Sequence, residues 1–312
     1  MTIGRASGEH RPRRWPAGPL LLGPLMVWLT WLILALPLSA MAADGVFERG
    51  LLFRIQPPGG GPPSHLFGTI HSDDPRVAHV PALVQRWFNR SRALALEVVP
   101  NARATTAFAA AMTFDDGRTL SDLLPADVYQ ASIRALAARG LPEPAVRSFK
   151  PWAVTTLLSM PESETGRSLD MVLYRKALAA GMPVVGLETM QEQLAVFEGL
   201  SAADQVALLR EALTSLPSMP AMFESLIEAY QRRDLAGLME LGGRYSDSAD
   251  PALAERFRDA LIHARNARMA QRVTPMLADG GYFIAVGALH LPGPGGLLNR
   301  LAAEGFGVEP LY

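Results

Sequence analysis

The chain has 312 residues, 49% hydrophobic and 19% charged, a balance that excludes a disordered or collagen-like polypeptide. It has no cysteine, which excludes a disulfide scaffold, a thiolate metal site, a cysteine nucleophile and a lipid-modified N-terminal cysteine. The net charge of −1 gives no electrostatic basis for nucleic-acid binding.

Residues 1–42 read as a targeting segment. Arg5, Arg11, Arg13 and Arg14 form a basic head, and no charged residue follows from Trp15 to Ala43. The run Leu20 to Leu38 is rich in Leu, Trp, Ile and Val, and Ala40-Met41-Ala42 is the small-x-small pattern that signal peptidase accepts. The expected fate is cleavage after Ala42. The alternative is an uncleaved anchor, since about 20 apolar residues span a bilayer; membrane contact would then run through residues 15–43. Either way the basic head stays inside. The rest of the chain is expected to be periplasmic or secreted, or held at the inner membrane with its domain outside the cytoplasm. Residues 43–312 are expected to form one domain. Without the four Arg and one Glu of the leader its net charge is −4, and its length suffices to bury a sizeable core.

After Asp44 the pattern alternates between strand and helix. Gly50–Ile55 and His65–Ile70 read as two strands of a hairpin, joined by the PPGGGPPS loop of residues 57–64, whose prolines cannot donate to a sheet. Three short apolar runs follow, Ala93–Glu97, Pro183–Leu187 and Tyr282–Val286, and Gly307–Leu311 closes the series. Each has the length of a buried strand and is bounded by Gly, Pro or polar residues. Residues 101–182 and 189–279 read as helical. Thr189-Met-Gln-Glu192 is a capping box, and Asp204, Asp234 and Asp250 mark further helix starts. The expected fold is α/β: a small mixed or mostly parallel sheet built from both chain ends, with a large helical insertion.

Polar residues gather at the downstream ends of these strands. His71 follows Ile70, Glu97 closes its run, Glu188 follows Leu187, and His290 follows Gly287. In a parallel sheet such ends open on one edge, where ligands bind. Two of them share a spacing, Gly68-Thr-Ile-His71 and Gly287-Ala-Leu-His290, in which the glycine permits a tight turn or a close backbone approach. Two imidazoles and a carboxylate suit a divalent transition metal, with His71, Glu97 and His290 as ligands and Zn, Mn or Co all compatible. The same set without metal suits a histidine base oriented by a carboxylate.

The two GxxH strands and the strand ending in Glu97 combine with two longer stretches, PVVGLETMQEQ (residues 183–193) and FIAVGALHLPGPGGLL (residues 283–298), leading into Gly305–Val308. Together they resemble the TraB/GumN family, which includes the PrgY-type pheromone shutdown proteins and is related to the Tiki proteases. The resemblance runs over roughly residues 48–312. It implies that His71, Glu97 and His290 form an active-site set serving metal-dependent peptide cleavage or, in relatives, other hydrolyses and haem handling. Arg265-Asn266 falls where that family has a recurring Arg-Asn.

Arg265 also stands out on its own. Phe257, Leu261 and Ala264 form an apolar helical stripe that Arg265, Arg268 and Arg272 continue. A buried arginine needs a partner, and either the carboxylates or an anionic transition state can serve Arg265. Glu188 either lines the cleft or faces the N-terminus of the next helix. Asp170 can face the cleft although nothing requires it, and Glu192 is the capping-box partner. His65, His79 and His263 are expected at the surface. Two functions follow: an exported metal-dependent hydrolase acting on a peptide or small-molecule substrate, most naturally a peptidase, or a binding protein that sequesters a peptide or small ligand without turnover.

Overall fold

The strands β1 (Leu52–Gln56), β2 (Ser64–Thr69), β3 (Ala93–Leu96), β4 (Val184–Gly186), β5 (Tyr282–Gly287) and β6 (Gly307–Pro310) fall on the six runs read from the sequence, with ends moved by one or two residues. The computed structural model describes residues 47–161, 165–244 and 250–312. The targeting segment read at residues 1–42 lies outside the described residues.

The six strands form one mixed sheet in the order β4-β3-β5-β2-β1-β6. β4, β3, β5 and β2 run parallel, while β1 pairs antiparallel with both β2 and β6. The β1–β2 hairpin is the one anticipated, in the register Leu52↔Phe67 to Ile55↔Ser64. β6 carries Pro310 and lies at the sheet edge, where the missing N–H costs no ladder bond. β2 and β5 are the innermost strands, and β2 is buried along its whole length. That burial corrects the expectation for His65. Its position at the strand start predicts a surface residue, yet it is 4% exposed and stacks on Trp87 with ring centroids 4.3 Å apart. A central strand covered on both faces leaves no solvated side for alternation to use.

Between β3 and β4, and again between β4 and β5, the regular structure is helical. Two apolar clusters result. One lies on the sheet and is built around Phe53, Phe67, Phe283, Ile284 and Leu94. The other is made by helices and built around Phe108, Trp152, Phe197 and Phe257. In the second, Trp152 stacks on Phe197 at 5.3 Å and Phe257 meets Phe197 edge-on at 5.8 Å. The Thr189–Glu192 capping box forms as read, and Asp250 caps its helix by accepting from the Leu253 amide.

The helical stretch near residue 260 differs from the expected regular stripe. An α-helix over Pro251–Arg258 passes into a π-turn over Asp259–His263 and then into an α-helix over Ala264–Asp279. The wider turn delays the helical phase. Leu261, Arg265, Met269, Val273 and Leu277 therefore face inward, Ala264 is exposed, and Arg268 and Arg272 stand on the half-buried flank. Arg265 and Asn266 are both fully enclosed.

Candidate active site

His71, Glu97 and His290 leave three neighbouring strands, β2, β3 and β5, at the same edge of the sheet. β5 lies between the other two, and its register brings Thr69 opposite Gly287 and Leu96 opposite Ala285. With strands about 4.8 Å apart, the ends of β2 and β3 flank the His290 turn on either side. Gly68 makes that turn fit. A Cβ there would lie 2.7 Å from Leu291 Cδ1 and 3.1 Å from Ala288 Cα, so the first GxxH glycine serves close approach by the segment carrying the second histidine.

All three side chains are buried. Glu97 Oε1 accepts from the Gly287 amide at 2.6 Å, and Oε2 accepts from Arg265 Nη2 at 2.6 Å. His290 Nε2 lies 3.8 Å from Glu97 Oε1. On its far side, His290 Nδ1 is 2.6 Å from Asn266 Oδ1, and Asn266 Nδ2 donates to the Gly295 carbonyl at 2.9 Å. His71 Nδ1 lies 2.9 Å from Asp170 Oδ2, and Thr69 Oγ1 donates to Asp170 Oδ1 at 2.8 Å.

Arg265 is the hub of a buried ion network. Nε and Nη2 donate to Glu188 Oε2 at 2.8 and 2.7 Å, in addition to the bond to Glu97. Arg268 Nη1 donates to Glu188 Oε1 at 2.8 Å, so two arginines meet two carboxylates. The guanidinium faces the carboxylates, the first of the two partners considered for it. Glu188 is held by arginines, and its side chain is wholly enclosed. Glu192 keeps its capping role and also pairs with Arg272 at 2.6 Å. His79 is exposed, and His263 is half-buried with its ring against Gly295.

The electrostatics separate the three side chains. Burial disfavours the Glu97 carboxylate, but the Arg265 charge, the two imidazoles and the Gly287 amide outweigh it and hold the carboxyl at about 2. Glu97 is therefore ionised at any ordinary pH. Burial lowers His290 to about 3 against the pull of Glu97, keeping the ring neutral. Burial also opposes the charged form of His71. There the charge and hydrogen bond of Asp170, with the charge of Glu97, prevail and raise it above the usual histidine value.

Among the described residues no set of three or more His, Cys, Asp or Glu side chains is arranged to hold a metal ion as it stands. Arg265 and the Gly287 amide occupy a direction on each Glu97 oxygen. The donors are nevertheless of the right kind. Histidine ligands of metals typically have the second ring nitrogen held by a carboxylate or carbonyl oxygen, as Asp170 and Asn266 hold these two. His290 Nε2 is buried with no hydrogen-bond partner. Its 3.8 Å from Glu97 Oε1 is near the spacing of roughly 3–4 Å that two donors adopt around one ion with bonds of about 2.0–2.2 Å.

A family model described as the TraB/PrgY/gumN family matches residues 51–310, which takes in every strand and all the residues above. The chain belongs to the TraB/PrgY/gumN family. Within this family it is similar to metalloprotease TIKI2 of Danio rerio, 25% identical over 84% of this chain and 61% of that protein. It is similar to metalloprotease TIKI1 of Homo sapiens at 24% identity over 80% of this chain and 60% of that protein. The chain thus spans about three-fifths of the length of these TIKI relatives. It is also similar to the uncharacterized protein YbaP of Escherichia coli (strain K12), 24% identical over 76% of this chain and 87% of that one. No solved structure matches.

Sequence reasoning did not identify Thr69, nor did it give Asn266 a contact, and it left Asp170 without a role. One signal for Asp170 was available: an acidic residue flanked by Leu169 and Leu173 on the inward face of a helix requires a partner. Asn266 carried no comparable signal, because only the fold brings residue 290 beside it.

Proposed function

We propose that this chain is an exported metal-dependent hydrolase that cleaves peptides at the edge of its parallel strands. The observation that carries the reading is the pairing of His290 Nε2, buried and without a hydrogen-bond partner, with the ionised Glu97 carboxylate 3.8 Å away. A neutral ring nitrogen beside a fixed negative charge is a receptor for a cation. The resemblance to proteins named metalloproteases supports the same reading. Export rests on the composition of residues 1–42. Among the described residues, no helix is long and apolar enough to cross a membrane.

His71 and His290 would hold the metal through imidazole nitrogen, with Glu97 as the carboxylate ligand. A divalent ion so held would supply a Lewis acid for the scissile carbonyl and would acidify water. The chain's own residues do the rest. Glu97, fixed as an anion by Arg265, is too weak a base to take a proton and contributes charge and position. His71, whose Nδ1 faces Asp170, would use its remaining ring nitrogen for the ion. Arg265, bonded to both Glu97 and Glu188, fixes the two acids in place and keeps Glu97 ionised.

The test is elemental analysis of the purified chain together with cleavage of a peptide library. Expected are about one divalent ion per chain and chelator-sensitive products. Glu97→Gln should remove at least roughly 100-fold of the rate, the scale of a lost charge-stabilising contact, while circular dichroism stays native. Peptide binding without any product would overturn the hydrolase in favour of a sequestering protein.

A further inference from the structure

Two histidines at one site can each exist in either neutral tautomer, and an incorrect choice at one of them turns its lone pair away from the site. The contacts behind the rings settle that choice. Asn266 Nδ2 donates to the Gly295 carbonyl, so the amide oxygen faces His290, and an oxygen facing Nδ1 at 2.6 Å requires a proton on that nitrogen. Asp170 does the same for His71. One of its oxygens already accepts from Thr69 Oγ1, and the other lies 2.9 Å from Nδ1. A carboxylate accepts only, so Nδ1 of His71 must donate.

We propose that Asp170 and Asn266 are positioning residues that lock His71 and His290 in the same Nδ1–H tautomer, so that both rings offer Nε2 to the substrate or metal. Neither residue touches reacting atoms. Each acts through the ring it holds, and each is itself held from behind, Asp170 by Thr69 and Asn266 by the Gly295 carbonyl. The backbone reinforces the arrangement. Asp170 lies in the first turn of the helix Leu169–Ala179, where the helix dipole favours its charge. Asn266 is turned inward just beyond the π-turn that sets its helical phase. Free neutral histidine prefers its proton on Nε2, so the lock reverses an intrinsic preference twice. The backing also differs: His71 rests on an acid and His290 on an amide. One pair therefore pulls on its ring with a full charge and the other with a dipole.

The inference deepens the hydrolase reading and relies on it for what Nε2 does. Its test does not depend on turnover. The full chain is labelled with nitrogen-15 in histidine and studied in chelator at alkaline pH, where the rings are neutral. Long-range nitrogen–proton spectra then report the tautomer of each ring, with resonances assigned by His71→Gln and His290→Gln. Expected are Nδ1–H signatures for both rings in the wild-type protein. Asp170→Ala should shift His71 alone toward the Nε2–H form, and Asn266→Ala should shift His290 alone. Zinc affinity, titrated with the metal alone, should fall roughly 10–100-fold in each variant. A wild-type ring carrying its proton on Nε2 would overturn the proposal without any variant having to fold. So would a tautomer unchanged in a folded Asp170→Ala or Asn266→Ala chain. Wild-type protein with both expected tautomers that binds no zinc and cleaves no peptide would instead sink the hydrolase reading and leave the positioning roles standing.

Discussion

The molecule contains two buried regions built on opposite principles. The helical cluster around Trp152 is closed by stacked and edge-on rings, contacts that stabilise through buried apolar area and ring geometry and involve no charge. The edge of the sheet is closed by charges: Arg265, Glu97, Glu188, His71, Asp170 and His290 are each at most 8% exposed. A buried ionic network gains little net stability over an apolar one and fails heavily when one member is removed. The first region supplies stability, while the second consumes part of it to hold unlike charges in one geometry. That division is what a positioned functional site on a rigid support requires.

The comparison breaks most visibly on removing the hub. Arg265→Leu leaves Glu97 and Glu188 enclosed with less positive charge and should cost roughly 3–5 kcal/mol, read as a fall in the urea midpoint, with all cleavage lost. Trp152→Ala should cost a similar amount, about 3–5 kcal/mol, through an unfilled cavity. The molecules that remain folded should cleave at the wild-type rate per mole of native protein. Equal loss of specific activity in both variants would mean that the two regions are not separate in function.

A smaller effect concerns pH. Burial, assisted by the Arg54 charge, lowers His65 to about 4 from its ordinary 6.5. Between those values the unfolded chain binds a proton that the native chain refuses, so stability is complete above about pH 6.5 and declines as pH falls toward 4. The loss attributable to this ring approaches roughly 3 kcal/mol at the acid end. His65→Phe, which preserves stacking on Trp87, should flatten that limb of the melting-temperature profile. An acid limb as steep in the variant as in wild type would assign the proton uptake elsewhere. Smallest of all is Arg272→Ala. Its pair with Glu192 is partly exposed, so the change should stay within about 1 kcal/mol in thermal melts and leave cleavage intact.

The strands were legible in the sequence because a strand end is a local event: a short apolar run, a glycine, then a polar residue. His71, Glu97 and His290 were singled out for that reason, and the structure brings them to one edge. Sheet order was not local. Nothing in residues 282–287 states that they insert between β2 and β3 rather than add at an edge. The partners that depend on that insertion, Asn266 with His290 and Gly287 with Glu97, were hidden with it. Arg265 was visible as a charge on an inward stripe, but the π-turn moved the stripe so that Ala264 left it. His65 was misread because a strand start resembles a surface position unless both faces of the strand are known to be covered.

The position of β5 has a consequence for how such a molecule comes into being. The strand between β2 and β3 is made more than 180 residues after them, so a growing polypeptide carries its hairpin, its third strand and nearly all its helices before the space among them can be filled. Any product terminated before Tyr282 would lack the common neighbour of β2 and β3 and the second imidazole together. Whatever this edge of the sheet does, it begins doing it only once β5 has been made and inserted.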